Sequence, residues 1–67
     1  MLRTIKFRGL DRRGTARSGQ QNVEEVAAFV EGRYVAGWRE LTVISLEGEQ
    51  LGAIVPLPGR RTWWGEN

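Results

Sequence analysis

The sequence predicts a small single domain of the α+β class, with the element order β-β-α-β-β and one helix packed on a three- or four-stranded, mainly antiparallel sheet. Three observations support this prediction. Residues 2–8 alternate polar and apolar side chains, as a strand with one buried face requires. An amphipathic stretch begins at Asn22, and two apolar segments with the pattern of strands follow at 38–46 and 51–55.

The first two strands are expected to form a hairpin. Residues 11–14 have the composition of a turn, because Gly14 can adopt a positive φ at no steric cost. Residues 15–21 can pair back on the first strand, but they are polar and include Gly19. They therefore predict a weak edge strand.

The helix is the most clearly marked element. Asn22 is a favourable N-cap residue, and Glu25 three positions later completes a pattern similar to a capping box. The helix is expected to continue to about Ala36, with Gly37 as the left-handed residue that stops it. Its buried stripe has helical spacing and consists of Val23, Val26, Ala27, Val30 and Tyr34.

The last two predicted strands are joined by residues 47–50, which contain a glycine suited to a hairpin. Pro56 and Pro58 are expected to end regular structure, since proline cannot donate a hydrogen bond to a ladder. The prediction therefore divides the chain into an α+β domain at 1–58 and a C-terminal Arg/Trp tail at 59–67, docked on the sheet or on a partner.

Both of these strands are apolar on two faces. In segment 38–46 the two faces comprise Leu41 and Val43 on one side, and Trp38, Ile44 and Leu46 on the other. In segment 51–55 they comprise Leu51, Ala53 and Val55 on one side and Ile54 on the other. One helix covers one face of a sheet, so the second face requires the tail, a second copy of the chain or a partner.

Charge is sorted along the chain. Residues 1–21 contain six basic side chains and one acidic one, a balance of +5, whereas residues 22–50 contain six glutamates and two arginines, a balance of −4. Such sorting affects partners and association rates more than it affects the fold. Arginine outnumbers lysine nine to one, which fits either phosphate recognition or the codon usage of a GC-rich genome.

The residue types that enzymes use are scarce. The 67 residues include no histidine and no cysteine, which excludes a Cys/His zinc site and the commonest general base and thiol nucleophile. Neither Ser18 nor Ser45 lies in a nucleophile elbow, and no glycine pattern matches a nucleotide-binding loop. We therefore expect a protein that is not an enzyme, with no catalytic residue, cofactor or metal ion. No apolar run approaches the roughly 20 residues needed to cross a bilayer, so a cytoplasmic protein without membrane contact is expected.

Two groups of residues are candidates for partner binding. The tail combines two cations with two indoles, and the predicted first turn and second strand add three further cations. The candidates are Trp63, Trp64, Arg61, Arg60, Arg12, Arg13 and Arg17. Trp and Arg dominate the energetics of protein interfaces, and aromatic faces beside arginines also bind single-stranded nucleic acid. The alternative for the two tryptophans is that they fold back over the bare sheet face and complete the core. The alternative for the basic hairpin is a solvated edge whose charges block unwanted strand pairing.

The layout resembles that of small phage-encoded accessory proteins. The resemblance covers about residues 3–46 and rests on the basic hairpin, the Glu-rich helix that opens at Asn22-Val23-Glu24-Glu25 and the join into the next strand at 34–43. Some such proteins bind and inhibit host enzymes, including RNA polymerase. The resemblance implies a binding role and assigns no functional residue.

The expected function is therefore non-enzymatic binding to another protein, as a regulatory or inhibitory module of phage or bacterial origin with an acidic partner. The first alternative is nucleic-acid binding through the basic hairpin and the tail. The second is a homo-oligomeric structural component in which the bare sheet face meets a second copy.

Overall fold

The computed structural model describes residues 1–66 and shows a single small α+β domain of five antiparallel strands and one helix. The strands are β1 (Arg3–Leu10), β2 (Ala16–Val23), β3 (Glu40–Ser45), β4 (Gln50–Leu57) and β5 (Arg60–Gly65), and the helix α1 (Val26–Val35) lies between β2 and β3. Their order across the sheet is β2-β1-β3-β4-β5. The α+β class and the single helix were predicted correctly, but the sheet has five strands rather than three or four.

The fifth strand comes from the segment predicted to be a tail. Pro58 and Gly59 form a two-residue turn in which Gly59 has a φ of 77°, and residues 60–65 then pair with β4. Pro56 was expected to end regular structure, yet it lies inside β4 opposite Arg61. Leu57 and Arg60 flank the two-residue turn and form a hydrogen-bonded pair. Because such pairs alternate along the ladder, the nitrogen of the preceding residue, Pro56, points away from β5, and the missing N–H of proline costs no hydrogen bond to that strand.

The helix begins later than its sequence predicts. Asn22 is not its N-cap but a residue of β2, where the Thr4 hydroxyl donates a hydrogen bond of 2.6 Å to the Asn22 side-chain oxygen. Glu25 occupies the N-cap position and makes no side-chain capping bond, so the predicted capping box is wrong. Instead, the Ala27 N–H donates to the carbonyl of Glu66, just after β5. A distant strand end thus provides the acceptor that a local cap was expected to provide.

The predicted turn glycines are confirmed. Gly14, Gly37 and Gly48 all have positive φ, and Gly37 follows the C-cap residue of α1. Each is at a chain reversal or helix end where a side chain would be strained.

The core lies between α1 and one face of the sheet. Its fully buried side chains include Ile5, Leu41, Val43, Ile54 and Val30. The helix packs over β3, β4 and β5. Phe7 of β1 also contributes to this layer, since the centre of its ring lies 5.5 Å from that of Phe29 in the helix. Among residues 1–66, no helix is long and apolar enough to span a membrane.

Three apolar residues differ from their predicted positions. A register shift between Val43 and Ile44 leaves Leu51 as an extra residue in β4, and this bulge directs Leu51 into the core beside Ile54 rather than opposite it. Trp38 precedes β3 and packs in the core, 8% exposed, instead of lying on the second face. Leu46 follows β3 and is 56% exposed.

Candidate binding face

The sheet face opposite α1, here called the open face, is covered by no other element of residues 1–66. Strand alternation assigns residues to it, because directly paired residues in an antiparallel sheet share a face. One row across this face runs Ser18, Arg8, Thr42, Ala53 and Trp64. The predicted tail does not cover the second face, because it extends the sheet sideways as β5.

The four candidate residues of β5 divide between the two faces. Trp63 is paired with the buried Ile54 and faces α1, while Trp64 is paired with Ala53 and lies on the open face. The same alternation puts Arg61 on the helix side and Arg60 on the open face. The two indoles therefore point in opposite directions and do not form one surface.

Arg61 connects β5 to the end of the helix. Its guanidinium donates to the carbonyl of Tyr34 at 3.0 Å and to the carbonyl of Trp38, and it lies 4.3 Å from the centre of the Tyr34 ring. The Tyr34 hydroxyl in turn donates to the Arg61 carbonyl at 3.2 Å. The Tyr34 carbonyl lies in the last turn of α1 and also accepts the N–H of Gly37, whereas Trp38 follows the helix. Because helix-terminal carbonyls favour a cation, the bond to Tyr34 makes Arg61 a tertiary C-terminal cap.

Trp63 packs against the core next to Tyr34, with the two ring centres 6.4 Å apart. Its neighbour Trp64 is 44% exposed. Trp63 thus packs against the core on the helix side of the sheet and not over the bare face, and Trp64 is the exposed indole.

Other apolar and basic side chains share the open face with Trp64. Ile44 and Val55 are half-buried there, and Lys6, Arg8 and Arg60 are exposed. A shallow depression of about 680 Å³ runs along β2, β1 and β3. The residues that line it are Lys6, Phe7, Arg8, Ser18, Gly19, Gln20, Thr42 and Ile44. The open face therefore combines a mixed apolar surface with positive charge.

A second basic surface lies where the β1–β2 turn meets the end of the helix. It consists of Arg12, Arg13, Arg17, Arg33 and Arg39 and is called the arginine end. Arg17 and Arg33 both lie over the Trp38 ring, 5.9 and 5.5 Å from its centre. A Cβ added to Gly37 would lie 3.0 Å from carbons of Arg12, and one added to Gly14 would lie 2.8 Å from the Arg39 guanidinium. These contacts bring together arginines from four segments of the chain.

Sequence reasoning did not include Arg33 and Arg39 among the candidates. Arg33 stacks 4.5 Å from the centre of the Phe29 ring, and its Nε is buried with no hydrogen-bond partner among the described residues. The signal that could have found it is its position in the last turn of a helix, one turn after Phe29. Arg39 directly follows Trp38, but nothing local shows that the Gly14 turn packs against it.

Asp11 is the acid that holds the turn of the arginine end together. Its Oδ1 accepts hydrogen bonds from the N–H groups of Thr15 and Arg13, at 3.0 and 2.9 Å, and its Oδ2 lies 3.5 Å from Arg17. The backbone N–H of Thr15, followed by that of Arg13 and by the Arg17 side chain, lowers the pKa of Asp11 below its ordinary value of 3.8, against an opposing effect of desolvation.

We expect the turn to lose stability in acid. A lowered folded-state pKa means that the contribution of ionised Asp11 is fully present above the unfolded value of 3.8 and is lost as pH falls through the folded value. Carboxyl NMR titration should give a pKa below 3.8, and Arg17→Ala should restore only part of the shift because the Thr15 N–H is the larger cause. A normal pKa in the wild type, or complete restoration by Arg17→Ala, would contradict this account.

The seven candidate residues are thus distributed over three places. Arg61 and Trp63 hold the fold together, Trp64 and Arg60 lie on the open face, and Arg12, Arg13 and Arg17 belong to the arginine end. Among residues 1–66, no three acidic side chains come together in a group that could hold a metal ion. Comparisons with protein-family models, curated proteins and solved structures gave no match to this chain.

Proposed function

We propose that this protein is a non-enzymatic binding module, regulatory or inhibitory in role and of phage or bacterial origin, that acts in the cytoplasm on an acidic protein partner. The observation that carries the proposal is Trp64, a large indole 44% exposed on a sheet face that no other element covers. Exposing the apolar surface of a large side chain to water is unfavourable in free energy, and a partner that covers the face removes this surface from water.

The composition of the open face favours a protein partner. Interfaces between proteins are richest in binding energy where an aromatic anchor and arginine stand among smaller apolar groups. Trp64 has this setting, with Val55 close by along the sheet and the cations Arg8 and Arg60 on the same face. The exposed lysine and arginines would attract carboxylates and raise the association rate.

A nucleic-acid partner is the second candidate, and the arginine end favours it. Arginines from four segments of the chain lie near one another there, and guanidinium groups match phosphate oxygens. It ranks second because Trp63 and Trp64 lie on opposite faces, so successive bases would not find adjacent indoles on which to stack.

Affinity capture from a bacterial lysate tests the proposal. The wild-type chain, a Trp64→Ala variant and an Arg13→Ala variant would each be immobilised, with and without nuclease treatment of the lysate. We expect a protein that the wild type and Arg13→Ala retain after nuclease treatment and that Trp64→Ala loses. Capture that disappears on nuclease treatment, together with oligonucleotide binding that weakens steeply as salt rises, would favour the nucleic-acid alternative.

A further inference from the structure

Along the free edge of β2, the backbone N–H and C=O groups that point away from β1 have no backbone partner within residues 1–66. At the adjoining turn the Asp11 N–H donates to the Thr15 carbonyl at 3.1 Å, which makes that pair a hydrogen-bonded one. Hydrogen-bonded and non-hydrogen-bonded pairs alternate along an antiparallel ladder. The residues of β2 that therefore direct their N–H and C=O groups away from β1 are Ala16, Ser18, Gln20 and Asn22.

This edge lacks the features that usually prevent strands from pairing between molecules. Proteins protect edges with lysine, proline, bulges or short strands. β2 has eight residues in unbroken register with β1, and its single charged side chain, Arg17, lies on the helix side near Asp11. The opposite edge strand, β5, has six residues and begins with Arg60 and Arg61.

We infer that β2 pairs with β2 of a second copy, antiparallel and about a two-fold axis at Gly19. In this register Ser18 faces Gln20 of the second copy, and Ala16 faces its Asn22, so that the two five-stranded sheets become continuous. The outward groups of the two strands would form about eight new backbone hydrogen bonds. Arg17 faces Gln21, so no like charges lie opposite each other along the strands.

The sorted charge of the chain favours the second copy as occupant of this edge. Continued beyond the strand ends, the same register brings the turn at 12–14 of one copy towards Glu24 and Glu25 of the other. The interaction occurs twice because of the symmetry. Glu25 forms no ion pair among the described residues, and Glu24 pairs at 3.5 Å with the exposed N-terminal amine. A basic turn therefore meets an acidic bend at each end of the ladder.

The pairing is independent of the proposed partner-binding function. Trp64 lies on β5, at the far edge of the sheet from β2, and the open faces of both copies stay free on the same side of the joined sheet. Loss of self-pairing would leave the open face unchanged, so failure of one proposal is distinguishable from failure of the other.

Sedimentation analysis across a wide range of protein concentration tests the inference directly. We expect the mass to rise from 7.6 kDa towards twice that value as concentration increases. Gln20→Pro should keep the protein at the monomer mass, because it removes an outward N–H and leaves the hydrogen bonds between β1 and β2 intact. Trp64→Ala is the matched control and should dimerise as the wild type does. A wild type that stays at 7.6 kDa throughout, or a Gln20→Pro variant that still dimerises, would overturn the inference.

Charge exchange tests the register without relying on a proline. A Ser18→Lys/Gln20→Lys variant places lysines opposite each other in the inferred register, and a Ser18→Glu/Gln20→Glu variant does the same with glutamates. Each variant alone should be folded by circular dichroism and monomeric, and an equal mixture should recover the dimer mass. Failure of the mixture to dimerise, when both variants are folded, would refute the inferred register.

Discussion

Arg61→Ala is expected to lower the free energy of unfolding by about 2–3 kcal/mol, because it removes a half-buried cation that is hydrogen-bonded to two carbonyls and leaves both without that partner. Stacking of the guanidinium on the Tyr34 ring is lost in the same substitution. The effect should appear in urea unfolding as a lower midpoint with an unchanged slope.

The neighbouring arginine provides the control for this prediction. Arg60 is exposed on the open face and its side chain forms no hydrogen bond or ion pair within the described residues, so Arg60→Ala should change stability by less than about 0.5 kcal/mol. Two adjacent residues of the same type are thus expected to differ several-fold in effect. Equal effects at both positions would contradict the role of Arg61 as a tertiary helix cap.

Substitutions of the two tryptophans are expected to have different effects, one mainly on stability and the other mainly on binding. Trp63→Ala removes an indole that packs on the core and on Tyr34, and we expect it to destabilise the protein by about 2–3 kcal/mol. Trp64→Ala should cost about 1 kcal/mol, since much of the side chain is already in water. Affinity for the protein partner should show the opposite order, because Trp64→Ala is expected to weaken it by roughly 30-fold or more and so to affect it more than Trp63→Ala does.

Thermal unfolding and binding of the captured partner, measured on both variants, check this pair of expectations. The fold supports a clean comparison because Trp63 and Trp64 are adjacent in one strand and differ in the face they occupy. If Trp64→Ala unfolds the protein while Trp63→Ala does not, the assignment of faces is wrong. If Trp64→Ala is folded and still binds fully, the open face is not the binding surface.

The sequence predicted the four candidate residues of the tail as one group because it contained no information on which side of a sheet each would lie. Arg60, Arg61, Trp63 and Trp64 alternate along β5, but alternation becomes visible only once the segment is known to be a strand. Pro56 and Pro58 argued against that, since they suggest an end to regular structure. The tolerance of Pro56 depends on the direction of its nitrogen in the β4–β5 ladder, which is a tertiary property.

The arginine end shows the same limit. Arg12, Arg13 and Arg17 were predictable as a cluster because a turn and a strand in sequence keep them close. Arg33 and Arg39 join them only through packing, around Trp38 and against the Gly14 turn. Spatial clusters drawn from separate segments leave no periodic signal in the chain.

What the sequence by itself determined is local. The alternation in β1, the positive-φ glycines at 14, 37 and 48 and the apolar spacing of α1 arise from conformational preferences within a few residues, and they were enough for the α+β class. The buried stripe of the helix was predicted only in part, because Val23 belongs to β2 and the buried Phe29 was not included. The tertiary structure decided the start of the helix, the bulge that buries Leu51 and the recruitment of 60–65 as a fifth strand. The physical reason is that local preferences amount to about 1 kcal/mol per residue or less, and hydrogen bonds and packing from distant segments, such as the bond from Ala27 to Glu66, outweigh them.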